Sequence, residues 1–187
     1  MAIAKWFPEL TPATPLRVAA RTVLTARVAG VAHYLLQVKR TPGPDPEDVH
    51  QLRVATRRLA AALSIFKSCL DRGARRRLRR AARKLRRAAG AVRDWDVQQS
   101  LLNKRRNEAE RLPARVVERI QRELKTQRRS LQQELRQAIH QWADRFRLSV
   151  AATLAGLDTE VAATYARATK IVTTARATLR IRLQQML

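Results

Sequence analysis

Three side chains that can bind or donate to anions stand in register at the start of one helical stretch: His50, Arg53 and Arg57. At about 100° per residue, their i, i+3, i+7 spacing stacks them over two turns as a cationic ridge of roughly 10 Å. Guanidinium forks and an imidazole along such a line can each hold a phosphate oxygen. The length suits a row of phosphates, and a single ion would not need it. Arg58 is adjacent in sequence, and a second basic set follows in Arg79, Arg83, Lys84, Arg87 and Arg93. Periodicity alone leaves two readings open, because arginines opposite an apolar stripe also make an ordinary solvated face.

Other chemistries find less support. His33, His50 and His140 fall on different predicted helices with no two at i, i+4, which argues against a histidine metal site. No Ser-His-Asp or Cys-His set has a spacing that suggests a site, and no Gly-rich phosphate loop or glutamate-rich metal tunnel is visible. The expectation is a binding protein with no catalytic residue, no cofactor and no resident metal. A metal ion would arrive as the counterion of a bound phosphate.

The elements that must position these residues read as helices almost throughout. Ala, Leu, Arg and Gln are abundant, glycines number only five, and no run alternates like a strand. Pro8, Pro12 and Pro15 make residues 1–13 an extended lead-in, with Thr14 and Pro15 as cap and first position of a helix to about residue 39. Arg27 interrupts the apolar arc of that helix and must either snorkel or face a wet groove. Asp45 and Pro46 then start the helix that carries the ridge, with Glu47 and Asp48 facing the positive end of its dipole. Leu52, Ala55, Leu59, Leu63, Phe66 and Leu70 form its buried stripe.

From Arg72 to Arg93 there are eleven Lys or Arg and no acid. Leu78, Ala81, Ala82, Leu85, Ala88, Ala89 and Val92 still hold one side, so the run is an amphipathic helix rather than a disordered tail. Gly90 is expected to loosen its end, with Asp94 capping a separate helix over about 95–111. Asp96 could orient a motif arginine, or make a surface pair worth little. After Pro113 a long helical pattern carries Ile120, Leu124, Leu135, Ile139, Trp142 and Phe146, and Gly156 and Asp158 are read as a break before a last helix to 187. The count is five to seven helices in an all-α antiparallel bundle.

The formal charge is +24, from 39 Lys and Arg against 15 acids. Such an excess repels itself in a compact fold and implies a polyanionic partner: nucleic acid, polyphosphate, an anionic membrane or an acidic protein. Cys69 is the only cysteine, which excludes an internal disulfide and fits a reducing interior. The first residues lack the apolar core of a secretion signal, and no segment approaches the ~20 apolar residues of a membrane span. A soluble, cytoplasmic protein is expected.

The stretch Val49-His50-Gln51-Leu52-Arg53-Val54-Ala55-Thr56-Arg57-Arg58-Leu59 resembles the signature of the CHAD family, the conserved histidine α-helical domain. Ala91-Val92-Arg93-Asp94-Trp95-Asp96-Val97 is similar to a second family element at the expected separation. The matches cover about residues 45–102. The resemblance implies two related helical halves about a basic channel, and binding of inorganic polyphosphate, often at polyphosphate granules. Residues 14–112 read as the first bundle and 113–187 as a long helix with divergent C-terminal helices. Leu179-Arg180-Ile181-Arg182 is only a faint echo of the motif, with Ala177 where a His would stand. Two expectations follow: a truncated or degenerate member, or a half that forms a homodimer to rebuild the channel.

The residues favour polyphosphate in one respect of their own. Only eight Phe, Trp and Tyr occur, mostly at core spacing, whereas recognition of single strands uses aromatic platforms beside the basic groove. Sequence-independent binding to a nucleic-acid backbone is the runner-up, and a structural or regulatory helical module the third reading. In the favoured reading Arg53, Arg57, Arg83, Arg87 and Arg93 grip phosphate oxygens, Arg58, Arg79 and Lys84 add charge, and His50 donates a bond that strengthens as it protonates.

Overall fold

The computed structural model describes residues 7–40, 43–108 and 114–164. Within them are four α-helices, α1 (Leu16–Arg40), α2 (Pro46–Ile65), α3 (Arg72–Glu108) and α4 (Ala114–Thr164), with a short 3-10 turn at Lys67–Cys69 before α3. No strand occurs among the described residues, and the all-α expectation holds. Each helix packs against the next, and α4 returns to α1, which closes an antiparallel bundle.

Local chemistry sets most of the boundaries. Asp45 Oδ1 accepts from the Glu47 amide at 2.7 Å, Pro46 opens α2, and Glu47 and Asp48 occupy its first turn. This cap and the favourable dipole placement fix the start of the helix as expected. Asp71 does the same for α3, its Oδ1 accepting from the Ala74 amide at 2.6 Å. Thr14 behaves differently: its hydroxyl oxygen accepts from the Thr11 amide at 2.9 Å, within the preceding turn.

The core follows the apolar periodicity. Leu24, Val31, Leu35 and Val38 of α1 meet Val49, Leu52, Leu59 and Leu63 of α2, with Leu78, Leu85 and Val92 from α3. Helix α4 adds Leu135, Ile139, Phe146 and Leu157 to the same cluster. The segment after Pro113 is therefore an integral wall of one bundle. Alanines supply many of the buried positions on both helices: Ala55 and Ala62 on α2, and Ala81, Ala82 and Ala89 on α3. Thr56 is also buried, and its hydroxyl donates to the Leu52 and Arg53 carbonyls at 3.0 and 2.9 Å, so it leaves no unmet donor in the core. Cys69 is buried, and burial pushes its thiol upward, against smaller pulls from its hydrogen bond with Ser68 and the charge of Arg17.

Two expected breaks are absent. Helix α3 runs unbroken through Gly90, Arg93 and Asp94, and α4 runs through Gly156. A helical glycine costs about 1 kcal/mol relative to alanine, and buried Ala89 and Val92 on either side of Gly90 outweigh it. Asp94 is thus a mid-helix residue and not an N-cap. The described helices are fewer and longer than the sequence suggested, α3 spanning roughly 55 Å and α4 roughly 75 Å at 1.5 Å per residue. Most of the expected last helix, including the Leu179-Arg180-Ile181-Arg182 echo, lies outside the described residues.

Gly90 also marks a close approach. A Cβ there would come within 3.2 Å of Arg53 Nη1, the mobile tip of a long side chain. Gly90→Ala should therefore keep most of the propensity gain and stabilise the fold by roughly 0.5–1 kcal/mol. Thermal denaturation checks this, and a lowered midpoint would mean that Arg53 cannot move aside.

Candidate functional site

The ridge on α2 is partly wet and lies along its seam with α3. His50 and Arg53 are half-buried and Arg57 is exposed. Arg53 crosses the seam, lying over Gly90 and donating from Nη1 to Asp94 Oδ1 at 2.9 Å. That contact marks the register that core packing gives the two antiparallel helices. Arg57, one turn further along α2, stands opposite the turn of α3 that precedes Gly90.

On α3, Arg79, Arg83 and Arg87 follow one another at i, i+4 and lead to Gly90 and Asp94 at spacings of three and four. Such residues share a helix row, so the row that Arg53 touches is basic over about two turns and then runs on through Gly90 to Asp94. All three arginines are exposed. Six of the residues expected to bind, His50, Arg53, Arg57, Arg79, Arg83 and Arg87, are thus arranged along one seam between two helices.

The remaining members are placed elsewhere. Arg58 is a hundred degrees around α2 from Arg57 and comes beside Arg27 of α1. Burial, and then the positive charge of Arg58, hold the Arg27 guanidinium below the usual arginine range. Arg27 also lies over the Phe7 ring, 4.7 Å from its centroid, so it resolves the sequence-level dilemma by stacking at the edge of the bundle. Lys84 turns to the opposite flank of α3, where its amine lies 5.9 Å from the Trp142 ring of α4. Arg93 lines a separate hollow of about 570 Å³ with Pro46, Asp96, Gln99, Ser100, Asn103 and Arg128.

Asp96 does not serve a motif arginine. It is buried, and its Oδ1 accepts from Arg128 Nε of α4 at 2.8 Å. Arg128 Nη2 reaches on to the Pro44 carbonyl at 3.3 Å, so one guanidinium ties α3, α4 and the approach to α2. The carboxylate that engages the ridge is Asp94, which sequence reasoning assigned to a cap. Its signal was its position: the first acid after the basic run, one helical row from Arg83 and Arg87. Nothing in the spacing of Arg128 marked it, because its partner is 32 residues away.

Trp95 is half-buried and its indole N–H donates to the Leu124 carbonyl at 3.3 Å, a tether between α3 and α4. His33 and His140 are exposed on α1 and α4, away from His50 in sequence and on other helices. Among the described residues no three His, Cys, Asp or Glu side chains group as metal ligands, and no helix is long and apolar enough to cross a membrane.

No curated protein and no solved structure matches the chain. The model of the CHAD domain matches residues 16–187, which includes the segment after residue 112 where the motif resemblance was thin. With a four-helix bundle, the histidine and arginines of the first motif on α2 and the second motif on α3, the chain belongs to the CHAD domain family.

Proposed function

We propose that the protein binds inorganic polyphosphate, without catalysis, along the seam between α2 and α3. The observation that carries this reading is the placement of Arg53 across the seam over Gly90, which joins the α2 ridge to the basic row of α3. Arg53, Arg57, Arg83 and Arg87 would hold successive phosphate oxygens, with Arg79 extending the row and His50 donating at its end. Arg58, Lys84 and Arg93 stand off this line, and their part is to raise the positive potential that draws the polyanion in. A chain of phosphates presents repeated oxygens and no bases, and the seam offers five arginines and His50 against one exposed carboxylate, Asp94.

A competition experiment at fixed salt tests the proposal: long-chain polyphosphate, duplex DNA and single-stranded RNA are titrated against one labelled polyphosphate. Polyphosphate should displace the label at the lowest phosphate concentration, with affinity falling steeply as salt rises. Displacement by duplex DNA at equal or lower phosphate concentration would replace polyphosphate by a nucleic-acid backbone as the ligand.

Asp94 gives a sharper check. It is 68% exposed and Arg53 43% exposed, so their ion pair contributes within about 1 kcal/mol to stability. Its carboxylate competes with phosphate for the same guanidinium. Asp94→Asn should raise polyphosphate affinity a few-fold, and thermal stability should change little. A loss of affinity in that variant would make Asp94 an orienting group for Arg53 instead of a competitor.

A further inference from the structure

Trp142 of α4 is the one aromatic ring among the described residues on which several cations converge from two helices. Arg145 lies 5.0 Å, Lys84 5.9 Å and Arg80 6.0 Å from its centroid. The indole is half-buried, and the three cations are exposed. Beside it is an open hollow of about 360 Å³ lined by Arg77, Arg80, Ala81, Trp142, Arg145, Leu148 and Ser149. No acid lines it. The Ser149 hydroxyl donates to the Arg145 carbonyl, Ala81 is buried and Trp142 half-buried, and Arg77, Arg80, Arg145 and Leu148 are exposed, so the floor is apolar and the rim mainly cationic.

This is a different chemistry from the α2–α3 seam. Cation–π attraction holds each cation to the ring with about 0.5–1 kcal/mol at an exposed site, but the cations repel one another and none has a carboxylate in the hollow. An inorganic phosphate chain would satisfy the cations and leave the apolar floor and the indole unused. A flat base carrying phosphate uses both, because bases stack on indole or on guanidinium planes while the phosphate meets the arginines.

We propose that the α3–α4 flank around Trp142 is a second binding site, for a nucleobase bearing phosphate. The base stacks against Trp142 and the Arg145 guanidinium above Ala81 and Leu148, and its phosphates meet Arg77 and Arg80. It is built between α3 and α4 around Trp142, whereas the seam is built between α2 and α3 around Arg53. The same chemistry is offered by a free nucleotide and by a nucleotide within a single strand.

Isothermal titration of the full chain with ADP, adenosine, inorganic pyrophosphate and a single-stranded decaadenylate tests this. ADP should bind more tightly than adenosine, and Trp142→Leu should weaken ADP binding by about tenfold while leaving pyrophosphate binding unchanged. Arg145→Gln, a substitution at an exposed position, should weaken ADP in the same direction with unchanged helix content. Decaadenylate binding more tightly per site than ADP assigns the site to single strands, and the reverse order to free nucleotides. Equal losses of ADP and pyrophosphate in Trp142→Leu, or undiminished ADP binding in both variants, would overturn the proposal. Retention of long-chain polyphosphate by Trp142→Leu separates this outcome from failure of the seam.

Discussion

Replacing Arg128 with alanine is expected to destabilise the protein by about 3 kcal/mol, the low end of the cost of stripping one partner from a buried ion pair. The Asp96 side chain is only 5% exposed and Arg128 23%, so the carboxylate depends on that guanidinium for its neutralisation. Asp96 Oδ2 already lacks a hydrogen-bond partner, and the substitution would leave Oδ1 bare as well. The Pro44 carbonyl would lose its contact at the same time. For a chain of this size the midpoint of thermal unfolding should fall on the order of 10 °C. Arg128→Ala combined with Asp96→Leu should recover much of the loss, because the second substitution removes the stranded carboxylate. A single variant that melts within a degree or two of the parent would show that the pair is better hydrated than its burial indicates.

The second large effect concerns binding. The triple substitution His50→Gln, Arg53→Gln, Arg57→Gln removes two guanidinium forks and an imidazole from the seam while the buried stripe of α2 remains intact. A hydrogen bond to a charged group contributes roughly 1.5–3 kcal/mol, so polyphosphate affinity should fall on the order of 100-fold or more. The slope of log affinity against log salt should flatten, because fewer counterions are released. Circular dichroism should keep its helical signal, since none of the three residues is buried. Affinity within a few-fold of the parent would move the polyphosphate site away from this seam.

The helices were legible because their apolar faces repeat without interruption. Every member of the predicted α2 stripe from Leu52 to Leu70 is buried, and Asp45 and Pro46 start the helix where capping chemistry places them. Breaks were less legible. Glycine and aspartate at 90 and 94 are local signals for an end, yet packing of Ala89 and Val92 is a tertiary effect that local propensity does not contain. The same limit applied to the arginines. Spacing sorts Arg53 and Arg57 from Arg58 only once the neighbouring helix on each flank is known, and α1 claims one flank while α3 claims the other. Trp142, at core spacing, does pack against the core, but the period does not show that Arg80 and Lys84, some 60 residues away on α3, also lie within about 6 Å of its ring. Ile120, at the same period, is 42% exposed because it lies beyond the shared core of the four helices.

The buried alanines of α2 and α3 carry a consequence for the seam. Interaxial distance scales with the bulk of the side chains at the contact, over about 8–10 Å. Small buried residues such as Ala55, Ala62, Ala82 and Ala89 keep the bundle tight, and that packing sets the gauge between the two arginine rows. A larger residue at any of them would widen that gauge from the inside, so ligand preference along the groove can drift through substitutions made wholly out of contact with solvent or anion.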